Sequence, residues 1–342
     1  MKKIFAVMIA LCCFAWAEAQ TPIAMLIHNS NATPYYGSNA LIDAYNDAVN
    51  GDIINLSSGV FNNVEVRKSL TIRGAGMMTD TIAGTLPTII IGSKKIHNPD
   101  TGLTMTFEGL YFQDELFMDN IYHANFNKCY ITRFASPFYG GGNIYGGNFT
   151  HCIIREIRGT WLTNCHFYNS VVRDIMSGSG IDFGGSDGTC VFDHCIIQLK
   201  RSEGINKIHS TNSILLLENP NDTISVANTC ENHHYCIGIM SWHDGFFVPS
   251  SYASGHNLHN YVWTYQVFEG FDRDVTVFAN YHLASNSGAD LLLGNDNSQI
   301  GIYGGNMPFN PCIANPGVGR ITVGGQTNQQ GQLPINIQFI NQ

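Results

Sequence analysis

Two arginines occupy the same position in two related short sequences, so they could act together on one ligand. Arg155 ends the phrase FTHCIIR and Arg173 ends the phrase FYNSVVR, and an acidic residue, Glu156 or Asp174, follows each. A guanidinium group grips a carboxylate with two parallel hydrogen bonds, so a stripe of arginines suits an acidic polysaccharide. The alternative is a surface ladder in which each arginine is neutralised by an acidic neighbour.

Two aspartates in a glycine-rich stretch are a second candidate for chemistry. Asp182 and Asp187 lie in SGSGIDFGGSDG, residues 177–188. Two carboxylates at a suitable separation act as general acid and base on a glycosidic bond. A turn that carries two solvated aspartates explains the same residues.

A long aromatic segment, residues 240–268, is a candidate for ligand binding. Flat rings flanked by polar groups suit sugars, because a ring face covers the C–H face of a pyranose, and long loops on a rigid scaffold often carry function. The alternative is that its tryptophans cover the end of the fold. The candidate ligand-binding residues are Trp242, His243, Asp244, Trp263 and Tyr265.

Two short stretches raise the question of metals and disulfides. TCENHHYC, residues 229–236, contains Cys and His, which bind zinc together, but adjacent side chains of an extended segment point apart, so we predict no metal site. A Cys230–Cys236 disulfide and two separate thiols are the alternatives. GNDNSQIG, residues 294–301, offers oxygen ligands for Ca²⁺ but only one carboxylate, so an Asn-rich turn competes with a Ca²⁺ site.

These residues must be positioned by a repeat, because the phrase around Arg155 recurs. FNKCYITR, FTHCIIRE, FYNSVVRD and FDHCIIQL begin at residues 126, 149, 167 and 192. Weaker copies extend the series at a spacing of about 21 residues, with β-branched and aromatic runs and little helical pattern. We predict an all-β, right-handed parallel β-helix of about nine coils. The fourth residues of its phrases are Leu70, Ile89, Leu110, Cys129, Cys152, Ser170, Cys195, Ser213 and Cys236.

The phrase also predicts which side chains face inward. The fourth and sixth residues share the inner face, and the third, often Asn or His, lies at a bend where a left-handed backbone is needed. His151 and His194 are therefore expected to be structural. The fifth residue is apolar yet should face outward. Either the register is wrong by one, or a loop, a partner protein or a ligand covers that face.

Elements at both ends complete the domain plan. Residues 20–37 form an N-terminal segment, residues 38–320 the β-helix, and residues 321–342 a terminal hairpin or cap. Residues 38–51 are predicted as an amphipathic capping helix with Ser38 as N-cap and Gly51 as C-cap. Leu41, Ile42, Tyr45, Ala48 and Val49 would form its apolar face.

The N-terminal sequence indicates where the protein acts, and the net charge limits which partners it binds. Residues 1–19 have two lysines, an apolar run and small residues before a cleavage point, which is typical of a bacterial secretory signal peptide. We therefore expect a secreted, periplasmic or cell-surface protein without a membrane span. The formal net charge of −9 and the lack of a Lys/Arg cluster argue against nucleic acid.

Two longer stretches resemble a known family. LIDAYNDAVNGDIINLSSGVFNNVEVRKSLTIRGAG (41–76) resembles the opening of secreted right-handed parallel β-helix proteins of the pectin-lyase-like superfamily. YHLASNSGADLLLGNDNSQIGIYGGNMPF (281–309) resembles the closing segment of such proteins from Bacteroidetes-type bacteria, without their usual SPA after YHL. The ordered NTD, DD, HG and RIK set of polygalacturonase-like members is missing. In lyase-like members an Arg or Lys is the base, a role that the resemblance would give to Arg155 or Arg173.

Three functions remain open at this point. The leading hypothesis is recognition of a polysaccharide or cell-surface glycan without turnover, for which an aromatic platform is expected. The alternatives are a polysaccharide lyase or glycoside hydrolase, and a structural or adhesive rod with a protein partner on the apolar fifth column. Arg155, Arg173, Asp182 and Asp187 are the candidates for catalysis.

Overall fold

The protein is a parallel β-solenoid, seen here in a computed structural model. The described residues are 21–81, 84–98, 102–135, 142–158, 160–175, 190–199, 208–217, 232–240, 257–261, 266–269, 281–312, 317–323 and 335–340. The predicted signal peptide lies outside them.

Two large sheets, built from stacked short strands, form the solenoid. The first contains β1 (Ile23–His28), β2 (Asn31–Tyr36), β3 (Ile53–Leu56), β5 (Thr71–Arg73), β8 (Met105–Glu108), β10 (Ala124–Asn127), β13 (Asn148–Thr150), β17 (His166–Tyr168), β19 (Cys190–Asp193), β21 (Ile208–Thr211) and β23 (His233–His234). From β3 onward, each neighbouring pair of its described strands is parallel.

The second sheet contains the other strands of the solenoid. It contains β4 (Gly59–Asn62), β6 (Thr88–Ile91), β7 (Lys94–Asn98), β9 (Tyr111–Tyr122), β11 (Tyr130–Ala135), β12 (Gly142–Tyr145), β14 (Ile153–Ile154), β15 (Ile157–Arg158), β16 (Thr160–Thr163), β18 (Val171–Ile175), β20 (Ile196–Leu199), β22 (Ile214–Leu217), β24 (Ile237–Met240) and β25 (His259–Tyr261). Its strands are also parallel, so the predicted fold class is confirmed.

Files of identical or similar side chains fill the interior. The rings of Phe126, Phe149, Phe167 and Phe192 stack with successive centroids 5.1, 4.5 and 4.4 Å apart. Cys129, Cys152, Ser170, Cys195, Ser213 and Cys236 form a second file, each completely buried. The thiols and hydroxyls satisfy main-chain carbonyls there; Ser170 Oγ, for instance, lies 2.7 Å from Tyr168 O.

The bend before this file needs the left-handed backbone that was predicted. The φ angles of Lys128, His151, Asn169, His194 and Asn212 are 51, 52, 43, 51 and 52°. Asn is the non-glycine residue that adopts this conformation most readily, which explains its recurrence at the third position. Asn169 and Asn212 therefore set the corner at little conformational cost.

The predicted register is wrong in the first coils. Ile72 lies opposite Phe107 in the first sheet, so Leu70 does not belong to the cysteine file. Ile89 lies opposite Tyr111 and is a fifth-column residue, while Thr88 takes the buried place. Residues 75–87 are inserted between two strands of one coil, so two phrases counted as two coils belong to one.

The amino-terminal end of the stack is closed by a hairpin and a helix. The hairpin of β1 and β2 was not predicted, and β1 pairs antiparallel with β3. Helix α1 spans Ala40–Asp47, shorter than predicted, with Asn39 as N-cap instead of Ser38 and Ala48 as C-cap instead of Gly51.

A lysine holds the carboxyl end of α1 to the solenoid. Lys68 Nζ donates to the carbonyl oxygens of Tyr45, Asn46 and Ala48 at 2.6, 3.1 and 2.8 Å, where the helix dipole is negative. The chain turns there, so Val49 leaves the predicted apolar face and is 51% exposed.

The carboxyl-terminal residues form a hairpin, as predicted. Strands β26 (Gly317–Val323) and β27 (Ile335–Ile340) pair antiparallel in a separate two-stranded sheet. The hairpin begins four residues earlier than expected, at residue 317 instead of 321.

Candidate functional site

The apolar fifth column is covered by the chain itself. Residues 281–312, called the C-terminal strap here, run back along the solenoid. Tyr130, Ile153, Val171, Ile196, Ile214 and Ile237 of the column share one buried cluster with Tyr281, Leu283, Ala289, Ile300 and Ile302 of the strap. The register was therefore right in these coils, and a loop is the cover. The strap therefore occupies the surface at which a partner protein was proposed.

The bend residues hold the strap in place. Lys128 Nζ donates to Cys312 O at 2.6 Å, and His151 Nε2 lies 3.0 Å from Met307 O. Asn169 Nδ2 donates to Ile302 O at 2.9 Å and to Gly304 O at 2.8 Å. Further along, Asn212 Nδ2 donates to Asn295 Oδ1 at 2.9 Å. These side chains come from successive coils and form a ladder that binds the strap. The strap runs along the solenoid in the direction opposite to the order of the coils.

His194 belongs to the same ladder, although its contacts resemble a hydrolytic triad. Its Nδ1 is 3.1 Å from Asp193 Oδ1, and its Nε2 is 3.0 Å from Ser298 Oγ. However, Ser298 Oγ already accepts from Gly305 N at 2.6 Å and donates to Asp296 at 2.8 Å. A hydroxyl with all its hydrogen bonds committed inside a turn is a structural group. His194 and His151 therefore have the structural role that was expected.

The predicted Ca²⁺ loop, residues 294–301, is part of the strap. The Asp296 carboxylate accepts from Ser298, and the Asn295 amide oxygen accepts from Asn212. Among the described residues, no group of three or more His, Cys, Asp or Glu side chains is arranged to hold a metal ion. The oxygen atoms of the loop thus serve the contact with the solenoid, and a Ca²⁺ site stays a hypothesis.

The two arginines lie side by side, as predicted. Ile154 pairs with Val172 and Ile157 with Ile175, so Arg155 occupies the rung next to Arg173. Arg173 Nε donates to the buried Gln198 Oε1 at 2.9 Å, which fixes its guanidinium. Arg155 is exposed and makes no hydrogen bond or salt bridge with the described residues.

The acidic ladder that was the alternative exists, but around another arginine. Arg133 is held by Glu115 and by Glu156, the latter 11% exposed and 2.5 Å from Arg133 Nε. Glu156 therefore does not neutralise Arg155. Two carboxylates thus neutralise Arg133. The described residues form no such ion pair with Arg155 or Arg173.

Tyr130 and Tyr281 lie near the arginine pair. Burial raises the pKa of Tyr130 to about 12, with Tyr111 adding to the rise and Arg155 and Arg173 opposing it. The rings of Tyr111 and Tyr130 meet edge to face at 4.5 Å. Burial also raises the pKa of the strap residue Tyr281, which Arg173 opposes. Tyr130 and Tyr281 are thus buried beside the positive charge of the arginines.

A second tyrosine pair, missed by sequence reasoning, stacks between β9 and β12. Tyr122 at the end of β9 pairs with Tyr145 in β12, and their half-buried rings stack at 4.8 Å with planes 11° apart. Asn143 Nδ2 donates to Asn120 Oδ1 at 3.3 Å two residues before them. The alternation Asn-x-Tyr at 120–122 and 143–145 was the available signal.

Other predicted site residues lie outside the described residues. These are Asp182, Asp187, Trp242, His243, Asp244, Trp263, Tyr265 and Cys230. Cys236 is described: it is a free, buried thiol 3.1 Å from His234 O. Because Cys230 lies outside the described residues, the Cys230–Cys236 disulfide stays a prediction.

Comparisons with known proteins name no family. No protein-family model matches the chain, and a search of curated proteins found no match. Among the described residues, no helix is both long and apolar enough to cross a membrane.

Proposed function

We propose that this is an exported β-helix protein that binds a polysaccharide or cell-surface glycan without turning it over. The observation that carries this proposal is the stacked pair Tyr122 and Tyr145, flanked by the amides of Asn120 and Asn143. The two rings stack face to face, so each offers its outer face and its edge to the C–H groups of a sugar, and the amides supply donors and acceptors for hydroxyls. Membership of the pectin-lyase-like superfamily is part of the same proposal.

The arginine pair offers a second contact, for acidic glycans, at another place on the coil. Arg155 and Arg173 sit in neighbouring rungs, beside Tyr130, so a uronate carboxylate would meet a fork of donors there. The same pair favours the alternative, a polysaccharide lyase or hydrolase, since an arginine beside a tyrosine suits proton removal next to a carboxylate. The nearby carboxylates Glu115 and Glu156 are both bound by Arg133, so neither is a free acid for that alternative.

A panel of neutral and acidic glycans, scored for binding and for new reducing or unsaturated ends, tests the proposal. We expect binding without product. Tyr145→Ala should weaken binding by about tenfold or more, since stacking of one ring contributes on the order of 1–2 kcal/mol. The matched control is Tyr36→Ala, which removes a tyrosine that is 65% exposed on the edge strand β2.

Product formation would overturn the proposal in favour of catalysis. Loss of that product in Arg155→Ala or Arg173→Ala, but not in Arg67→Ala, would assign it to the arginine pair. Arg67 is a suitable control because it is 65% exposed and bound to Glu65 near the opposite end of the solenoid.

A further inference from the structure

The hairpin at the amino-terminal end of the solenoid leaves one strand with an open edge. Strand β2 is the last strand of the first sheet at this end, and among the described strands it pairs only with β1. Every residue of β2 except Tyr35 is exposed. An exposed edge strand presents unpaired N–H and C=O groups, which are a template for pairing with a strand of another chain.

Two hydrogen bonds show which main-chain groups point to this open edge. Gly37, directly after β2, donates its N–H to Pro22 O at 2.8 Å, so the main chain of Pro22 bonds towards β2. Ser57, directly after β3, donates its N–H to Ile23 O at 2.9 Å, so Ile23 bonds towards β3. Because the bonding direction alternates along a strand, the even-numbered residues of β1 face β2 and the odd-numbered ones face β3.

Pro34 therefore lies in the middle of the residues of β2 that bond outward. Its partner in β1 is Met25, an odd-numbered residue, so the main chain of Pro34 makes no hydrogen bond with β1. By the same alternation, Ala32 and Tyr36 also present their main-chain N–H and C=O groups to the open edge. Proline has no N–H, so the central outward position lacks a donor, and its ring occupies space that a paired strand would need.

We propose that Pro34 prevents two copies of this protein from joining through β2. Two copies of one edge strand pair antiparallel about a twofold axis, and each outward residue then lies opposite an outward residue of the other copy. Any register that pairs more than one outward residue of each strand includes residue 34, because this residue is the central one. With an N–H at residue 34, the first sheet would continue from one solenoid into the next.

The second sheet has a different protection at this end of the solenoid. Its edge strand β4 ends at Asn62, whose N–H donates to Ser38 O at 2.8 Å and whose Nδ2 donates to Asn39 Oδ1 at 2.7 Å. The residues that lead into α1 thus cover the outer side of β4. The exposure of β2 shows that it has no comparable cover, so its protection depends on its own sequence. This inference is independent of glycan binding.

Pro34→Thr tests the proposal, because it supplies the missing N–H and changes no hydrogen bond with β1. In sedimentation equilibrium at high micromolar concentration, we expect Pro34→Thr to have twice the mass of the wild type. Pro34→Val should behave in the same way, since the added N–H is common to both variants. The matched control is Thr33→Val. Thr33 pairs with Leu26 and bonds towards β1, so this variant adds an apolar β-branched residue but keeps the proline, and its mass should equal that of the wild type.

Hydrogen exchange locates the new contact. The amides of Ala32 and Tyr36 point outward, so pairing should slow their exchange by about tenfold or more in Pro34→Thr, and Thr33→Val should leave it unchanged. The proposal is overturned if Pro34→Thr and Pro34→Val keep both the mass and the thermal midpoint of the wild type. Association that leaves these two amides unprotected would overturn it as well, because the contact would then lie elsewhere. Protected amides in the wild type would show that the edge is already paired and would also contradict it.

Discussion

Asn169 is the residue through which the attachment of the C-terminal strap can be measured. Its buried amide donates to Ile302 O and Gly304 O at 2.9 and 2.8 Å, and its φ is 43°. Asn169→Gly keeps the left-handed backbone accessible and removes only the amide. Each lost hydrogen bond costs about 0.5–1.5 kcal/mol, and a carbonyl left buried without a donor costs more. We expect a loss of roughly 2–4 kcal/mol in the free energy of unfolding.

The control for this substitution is another asparagine with a left-handed backbone. Asn297 is exposed, has a φ of 62°, and its side chain makes no hydrogen bond with the described residues. Asn297→Gly carries the same cost of a more flexible unfolded chain, on the order of 0.5–1 kcal/mol. The difference between the two variants therefore isolates the contacts with the strap.

Urea unfolding and hydrogen exchange together report the outcome. The midpoint should fall in Asn169→Gly, and the Phe309 amide, which donates to Ile302 O at 2.7 Å, should exchange faster. If Asn169→Gly and Asn297→Gly lose the same stability and the Phe309 amide stays protected, then the ladder does not hold the strap.

Three further predictions test the interior and the strap. Burial lowers the pKa of His233 to about 3, so the unfolded chain binds a proton at a higher pH than the folded chain. Stability should therefore fall as pH drops from about 6.5 towards 3. His233→Asn should flatten that fall in urea midpoints measured across this pH range. A Cβ at Gly304 would lie 2.5 Å from His194 Cδ2 and clash with Gln299 O. Gly304→Ala should therefore make the strap more sensitive to limited proteolysis. A variant that is as resistant as the wild type would contradict this. Phe167, fully buried between Phe149 and Phe192, should cost about 3–5 kcal/mol as Phe167→Ala, against about 0.5 kcal/mol or less for Tyr168→Ala next to it; similar costs in urea would exclude the stacked core.

The four strong phrases were sufficient to predict the architecture of the central coils. Alternation separates inward Cys152 and Ile154 from outward Ile153, and recurrence aligns Phe149 with Phe167. The prediction failed in the first coils because residues 75–87 interrupt the regular spacing between phrases. An insertion changes the distance along the chain without changing the rung to which Leu70 or Ile89 belongs.

The contacts of the strap could not be predicted from the phrases. The apolar fifth column showed that a cover was needed, but Asn169 and Ile302 are separated by 133 residues and no local pattern links them. The tyrosine platform was missed for a similar reason, since Tyr122 and Tyr145 lie at the other end of the coil from the phrase. Arg155 and Arg173 were paired correctly because they belong to the phrase itself.

A double-mutant cycle of Tyr122→Ala and Tyr145→Ala on glycan affinity tests the central claim most directly. If stacked rings in neighbouring rungs form one binding platform, the two losses should be coupled by about 0.5 kcal/mol or more, with the second substitution adding little to the first. Full affinity in the double variant, for a glycan that wild type binds, would contradict the proposed site. Strictly additive losses would show two separate contacts and would contradict the single platform.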